Sequence, residues 1–132
     1  MLKIIVRGGG DLATGVIHRL WGAGFKVLVL ECAKPAAIRR QVALCEAVYQ
    51  GRAQVEGLTA RLINSLAEAD AVWERGEVPV LVDEAADCVR AFAPDIVVDA
   101  IIAKRNLGTN SAMASLVIAL GPGFSVGADA DV

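Results

Sequence analysis

Ile4-Ile5-Val6-Arg7-Gly8-Gly9-Gly10-Asp11-Leu12-Ala13-Thr14-Gly15 is the stretch whose reading decides the fold. An apolar run passes directly into a glycine turn, and the turn opens an amphipathic segment. That order is the start of a βαβ nucleotide-binding unit, in which backbone N–H groups at a helix N-terminus can meet phosphate oxygens. Leu12, Val16, Ile17, Leu20 and Trp21 recur at helical spacing and predict one apolar face. Gly22 and Gly24 then end the helix, and Lys26 to Leu30 reads as a second strand.

Working outward, short β-rich runs alternate with helical patterns along the 132 residues. Strands are predicted over 2–6, 26–30, 78–82, 96–98 and 116–120, with a short one over 47–49. Helices are predicted from Pro35 to about Glu46, over 65–75 and over 84–92, while 50–62 has no clear period. The pattern predicts a single α/β domain, a Rossmann-like doubly wound parallel sheet of about six strands with helices on both faces.

Composition narrows the function classes. Residues of the apolar types make up 55% of the chain, and the mean hydropathy is +0.53. No run reaches the roughly eighteen apolar residues that a membrane span needs. The excess is expected in a buried parallel sheet or on a face that meets another domain. A net charge of −2 with scattered Lys and Arg gives no footprint for nucleic acid. The chain enters its first strand at Leu2, so a signal peptide is not expected and the cytoplasm is the default. Cys32, Cys45 and Cys88 form no CxxC pair, and one histidine is too few for a typical zinc cluster, so no metal site is predicted. They read as small buried or half-buried thiols, except that Cys32 follows Glu31 at a strand end where a ligand could reach it.

The glycine turn has a definite physical reading. Gly8 permits the tight turn off the strand, Gly10 lets backbone approach a phosphate, and small Ala13 lets the helix pack closely on the sheet. An acid about twenty residues further on should accept from ribose hydroxyls. Glu31 stands eighteen residues after Ala13, at the end of Lys-Val-Leu-Val-Leu. Gly8, Gly9, Gly10 and Glu31 therefore form the expected ligand corner, and the competing reading is a glycine turn that only satisfies sheet geometry. Asp11 reads as a helix N-cap and is also a candidate ligand-corner residue. The loop is similar to the Gly-Gly-Gly-Asp turns in the nicotinamide-binding half of disulfide-reductase-type flavoproteins, so the acid does not disqualify it. His18, about two helical turns beyond the loop, reads as a surface or interface residue.

Two further strand ends carry acids, Asp83-Glu84 after Val82 and Asp99 after Val98. In open parallel sheets ligands sit outside the carboxyl ends of the strands, so Asp83 and Asp99 are expected in the crevice of the glycine loop. Lys104, Arg105 and Asn106 follow and could clamp a phosphate or a polar heterocycle. Pairing of Asp99 with Lys104 or Arg105, merely to order a loop, is an equal reading. Gly121-Pro122-Gly123-Phe124 is expected to form a second tight turn.

Several blocks together resemble one family. They include Arg7 to Leu20, Ile38 to Val42, Glu46 to Gly51, Val55 to Gly57, Val78 to Asp83, Val98 to Thr109 and Leu120 to Phe124. They look like the YqeB-type accessory proteins of the selenium-dependent molybdenum hydroxylase system, related to the XdhC/CoxI maturation factors. The resemblance implies a role in maturing a molybdenum hydroxylase, with a Rossmann-like domain binding a nucleotide-like small molecule. NAD(P), another nucleotide and a molybdopterin derivative all fit that class. Family members continue past the Gly-Pro-Gly-Phe block, so residues 1–132 correspond to their N-terminal part. The partner that the resemblance implies is the hydroxylase, and a homo-oligomer is open. The alternatives are an NAD(P)-dependent oxidoreductase and a nucleotide-sensing regulatory domain. The first would need a proton donor near the nicotinamide, and no Tyr-x-x-x-Lys, Cys pair or suitably placed His supplies one.

Overall fold

The computed structural model describes residues 2–35, 43–101, 106, 108–120, 127 and 129–132. Its framework is a seven-stranded sheet. The strands are β1 (Lys3–Arg7), β2 (Lys26–Glu31), β3 (Arg52–Val55), β4 (Leu58–Ile63), β5 (Val78–Val82), β6 (Ile96–Asp99) and β7 (Leu116–Ala119). The helices are α1 (Asp11–Gly22), α2 (Ala47–Gln50), α3 (Ala69–Glu74) and α4 (Val89–Phe92). Spatial order is β3-β4-β5-β2-β1-β6-β7, with every neighbouring pair parallel except β3 and β4. The expected α/β, Rossmann-like architecture is therefore present.

The sequence dictates this arrangement locally. In β1 the residues Ile4, Ile5 and Val6 are all buried, as are Val27 to Leu30 in β2. A strand apolar on both sides needs cover on both faces. One layer packs Ala13, Ile17, Leu44 and Ala47 on Ile4, Val6, Val27 and Val29, which places α1 and α2 together. The other packs Ala69, Val72 and Phe92 on Ile5, Leu28 and Val97, which places α3 and α4. Each Val, Leu, Ile or Phe side chain withdrawn from water in this way contributes about 1.5–3 kcal/mol.

Four expectations need correction. Residues 47–49 are helical, not a strand, because Ala47 packs inward and Gly51, at φ 82, ends the turn in a left-handed cap. Residues 52–63 form the hairpin β3–β4, which raises the strand count to seven. Its two-residue turn places Glu56 at φ 49 and Gly57 at φ 82, the left-handed pair that matches strand twist. The helix expected over 84–92 is shortened to α4, preceded by turns. Leu12 is 68% exposed and lies off the apolar face of α1, whose buried residues are Ala13, Thr14 and Ile17. Most of the helix expected from Pro35 to Glu46 lies outside the described residues, as does the Gly121 to Phe124 turn; Leu44–Glu46 is a 3₁₀ turn.

Chain direction reverses its progress across the sheet at β1. From β1 the chain moves to β2 and outward, then returns to place β6 on the other side. The carboxyl end of β1 thus lies at the topological switch point, where open α/β sheets leave a crevice.

Candidate functional site

Each glycine of the corner has a distinct environment. Gly8 sits at φ +101, and a Cβ there would meet Ala100 O at 3.0 Å and Ile101 Cα at 3.1 Å. At Gly9 a Cβ would lie 3.1 Å from Cys45 N. Gly9 O accepts from the Cys45 N–H at 2.8 Å and from the Thr14 hydroxyl at 3.2 Å, which pins the 43–45 segment against the corner. At Gly10 a Cβ would meet no described atom within 4 Å, and this residue is the N-cap of α1, with no side-chain cap. Asp11 is the first helical residue instead of the expected N-cap, a carboxylate in the positive first turn.

Glu31 reaches this corner. Its Oε2 accepts the Gly9 N–H at 2.8 Å, and its Oε1 accepts the Cys32 N–H at 2.8 Å. The amide that a phosphate would seek is therefore bonded to an internal carboxylate. Each oxygen of a carboxylate has two lone-pair directions, so Glu31 retains capacity for hydroxyl donors while holding both amides.

Asp83 lies at the end of β5 and accepts from Asp87 N at 2.9 Å and Cys88 N at 2.8 Å. Burial works against its charge, but these N–H donors and the nearby Arg7 outweigh it and hold the carboxyl below its ordinary value. Burial, with the Asp83 carboxylate alongside, pushes the Cys88 thiol up to about 12. Burial also raises Cys45, to about 11, and Cys32. All three thiols are protonated at neutral pH, so none is primed as a nucleophile.

Asp99 is 2% exposed and belongs to a buried network that motif reading overlooked. Its Oδ2 accepts from the Thr109 hydroxyl at 2.6 Å, and its Oδ1 from Ile101 N at 3.1 Å. Thr109 Oγ1 in turn accepts from Arg7 Nη1 at 2.7 Å, while Arg7 Nη2 donates to Glu84 O at 2.6 Å. Arg7 is 1% exposed, a charge that survives burial because its donors are satisfied and Asp99 stands beside it in register. Asn106 has a supporting part: its side chain donates to Thr109 O and accepts from Thr109 N. The signal for Arg7 was its place as a charge ending a fully apolar strand. Nothing local marks Thr109. Lys104 and Arg105 lie outside the described residues.

Arg7, Gly8, Glu31, Cys32, Asp83 and Glu84 line one cavity of about 70 Å³. Ligand pockets run to roughly 300 Å³ or more, so the described part of this cavity takes a fragment the size of a few water molecules and not an entire nucleotide. Its described wall carries three carboxylate residues against one guanidinium, which suits a donor-rich sugar better than a bare phosphate. Asp99 lies beneath this wall and not on it. His18 stands apart, with Nε2 3.1 Å from Glu56 O and its ring edge-on to Trp21. Among the described residues no helix is long and apolar enough to cross a membrane, and no group of three His, Cys, Asp or Glu could hold a metal ion.

A known protein shares most of this sequence. The chain is similar to YqeB of Escherichia coli K12, an uncharacterized protein. Identity is 53% over 126 residues, covering 96% of this chain and 23% of YqeB. The chain therefore spans about a quarter of the length of the curated relative it matches. No family model matches the chain, and no solved structure matches it.

Proposed function

We propose that this chain is the ligand-binding unit of an accessory protein that matures a selenium-dependent molybdenum hydroxylase. Its ligand is a nucleotide-like small molecule: NAD(P), another nucleotide or a molybdopterin derivative. The observation that carries the binding half of this reading is the 2.8 Å contact between Glu31 and the Gly9 amide at the switch point of the sheet. It supports the reading because it joins the acid at the second strand end to the glycine turn, the pair that ribose–phosphate recognition uses. Ribose hydroxyls would donate to the open lone pairs of Glu31. The phosphate would lie over Gly10 and the first turn of α1, where no described atom fills the space a side chain would take. The accessory half rests on the family resemblance; the similarity to YqeB, itself uncharacterized, supports that likeness and adds no role.

Isothermal titration with NAD⁺, NADP⁺ and ATP tests the binding half. Glu31→Ala should weaken whichever nucleotide binds by about 1–3 kcal/mol, the loss of charge-assisted bonds to hydroxyls. Equal affinity for Glu31→Ala and the parent chain would reduce Glu31 to a brace for Gly9 and remove the ribose role.

A further inference from the structure

The end of the sheet opposite the glycine corner carries a second pocket, of about 270 Å³. It is far larger than the crevice cavity, and aromatic rings wall it. The chain has two tryptophans, and both line this pocket, with Phe25 beside them. Trp21 comes from the end of α1 on one face of the sheet, and Trp73 from α3 on the other. Their rings are held in place, since Trp21 Nε1 donates to Gly76 O at 2.9 Å and Trp73 Nε1 donates to Val27 O at 3.0 Å. Walls fixed in this way lose little freedom when a flat group enters.

The charged residues of the lining are one lysine and one glutamate. Lys26 lines the pocket, with Nζ 5.5 Å from the Trp73 ring centroid. Glu77 is the acid of the lining, and Arg61 holds it at 2.8 and 3.2 Å. Arg75 and Arg52 also act on Glu77 and help keep its carboxyl low. Glu74 is exposed on α3 and does not line the pocket. The lining therefore offers an incoming group the Lys26 cation, while its one carboxylate is already paired with Arg61. The crevice chemistry uses none of these residues.

The geometry points to a second binding site here, for a flat aromatic anion whose ring lies against Trp21 and Trp73 and whose carboxylate meets Lys26. The site is independent of the crevice and of what the crevice binds.

Two-dimensional ¹H–¹⁵N spectra of the full chain test it, because two tryptophans give two indole N–H signals. With 2-naphthoate as the probe, both indole signals should shift saturably while the Gly8, Gly9 and Gly10 amides stay still. Neutral 2-naphthamide should bind roughly tenfold more weakly, and Lys26→Met should weaken 2-naphthoate by a similar factor, the loss of one charge-assisted contact. Lys26→Met keeps an apolar stem over Trp73, and unchanged amide dispersion verifies its fold. Three results overturn the proposal: indole signals that do not move, shifts centred on the glycine corner, or equal binding of the amide and the acid.

Discussion

At the scale of single residues, the three glycines of the corner do different work. Gly8 is required by its positive φ and by the backbone of Ala100 and Ile101. Gly8→Ala should therefore destabilise the fold by about 2–4 kcal/mol, the sum of backbone strain and overlap. Gly10 is the N-cap at φ −72 with no described atom near a Cβ built there, so Gly10→Ala should cost no more than about 1 kcal/mol, the ordinary loss at an N-cap. Urea denaturation of the two variants checks the contrast, and equal losses would contradict it. Thr109 joins two buried charges, Arg7 and Asp99. Thr109→Val keeps the shape but removes one hydrogen bond from each partner and should cost about 1–3 kcal/mol, whereas Thr109→Ser should recover most of that loss. A Thr109→Val chain as stable as the parent would show that Arg7 and Asp99 find each other unaided. Asp99 and Asn106 stood out in the sequence, but their connection through Thr109 to Arg7 did not. Arg7 and Thr109 are separated by 102 positions, and only the β1–β6 pairing and the Asn106 turn bring them together.

At the scale of elements, Asp83 closes the turn between β5 and α4 by accepting two N–H groups. Its carboxyl is lowered in the folded chain, so its stabilisation is fully present above the ordinary value of 3.8 and is lost as pH falls through the folded value. Asp83→Asn should cost about 1 kcal/mol at neutral pH, discounted for partial exposure. The difference from the parent should hold down to about pH 4 and shrink below it. A gap that stays constant into stronger acid would contradict the role. Long apolar strands such as β1 and β2 were readable from sequence because burial on both faces leaves an uninterrupted run. The hairpin β3–β4 was not, since Ala53 and Ala60 give a weak alternation and the turn signal is a Glu-Gly pair. The four-residue α2 was missed for a related reason. Three apolar residues in a row fit a strand or a helical turn, and the packing of Ala47 under the sheet decides between them.

At the scale of the whole molecule, the two ends of the sheet carry opposite chemistry. The carboxyl end gathers Glu31, Asp83 and Glu84 around one buried arginine. The other end sets two tryptophans beside Lys26 and an acid already paired with Arg61. The switch-point crevice followed from the strand–glycine–helix order at the start of the chain, together with the acid at the second strand end. Its small enclosed volume and the engagement of Glu31 with Gly9 depend on how the loops close, which no motif spacing encodes. Mass spectrometry of small molecules released on denaturing the purified chain tests the central claim most directly. A nucleotide or molybdopterin derivative, retained by the parent and lost from a folded Gly10→Val variant, is the predicted result. The same compound retained equally by both chains would contradict binding at the glycine corner.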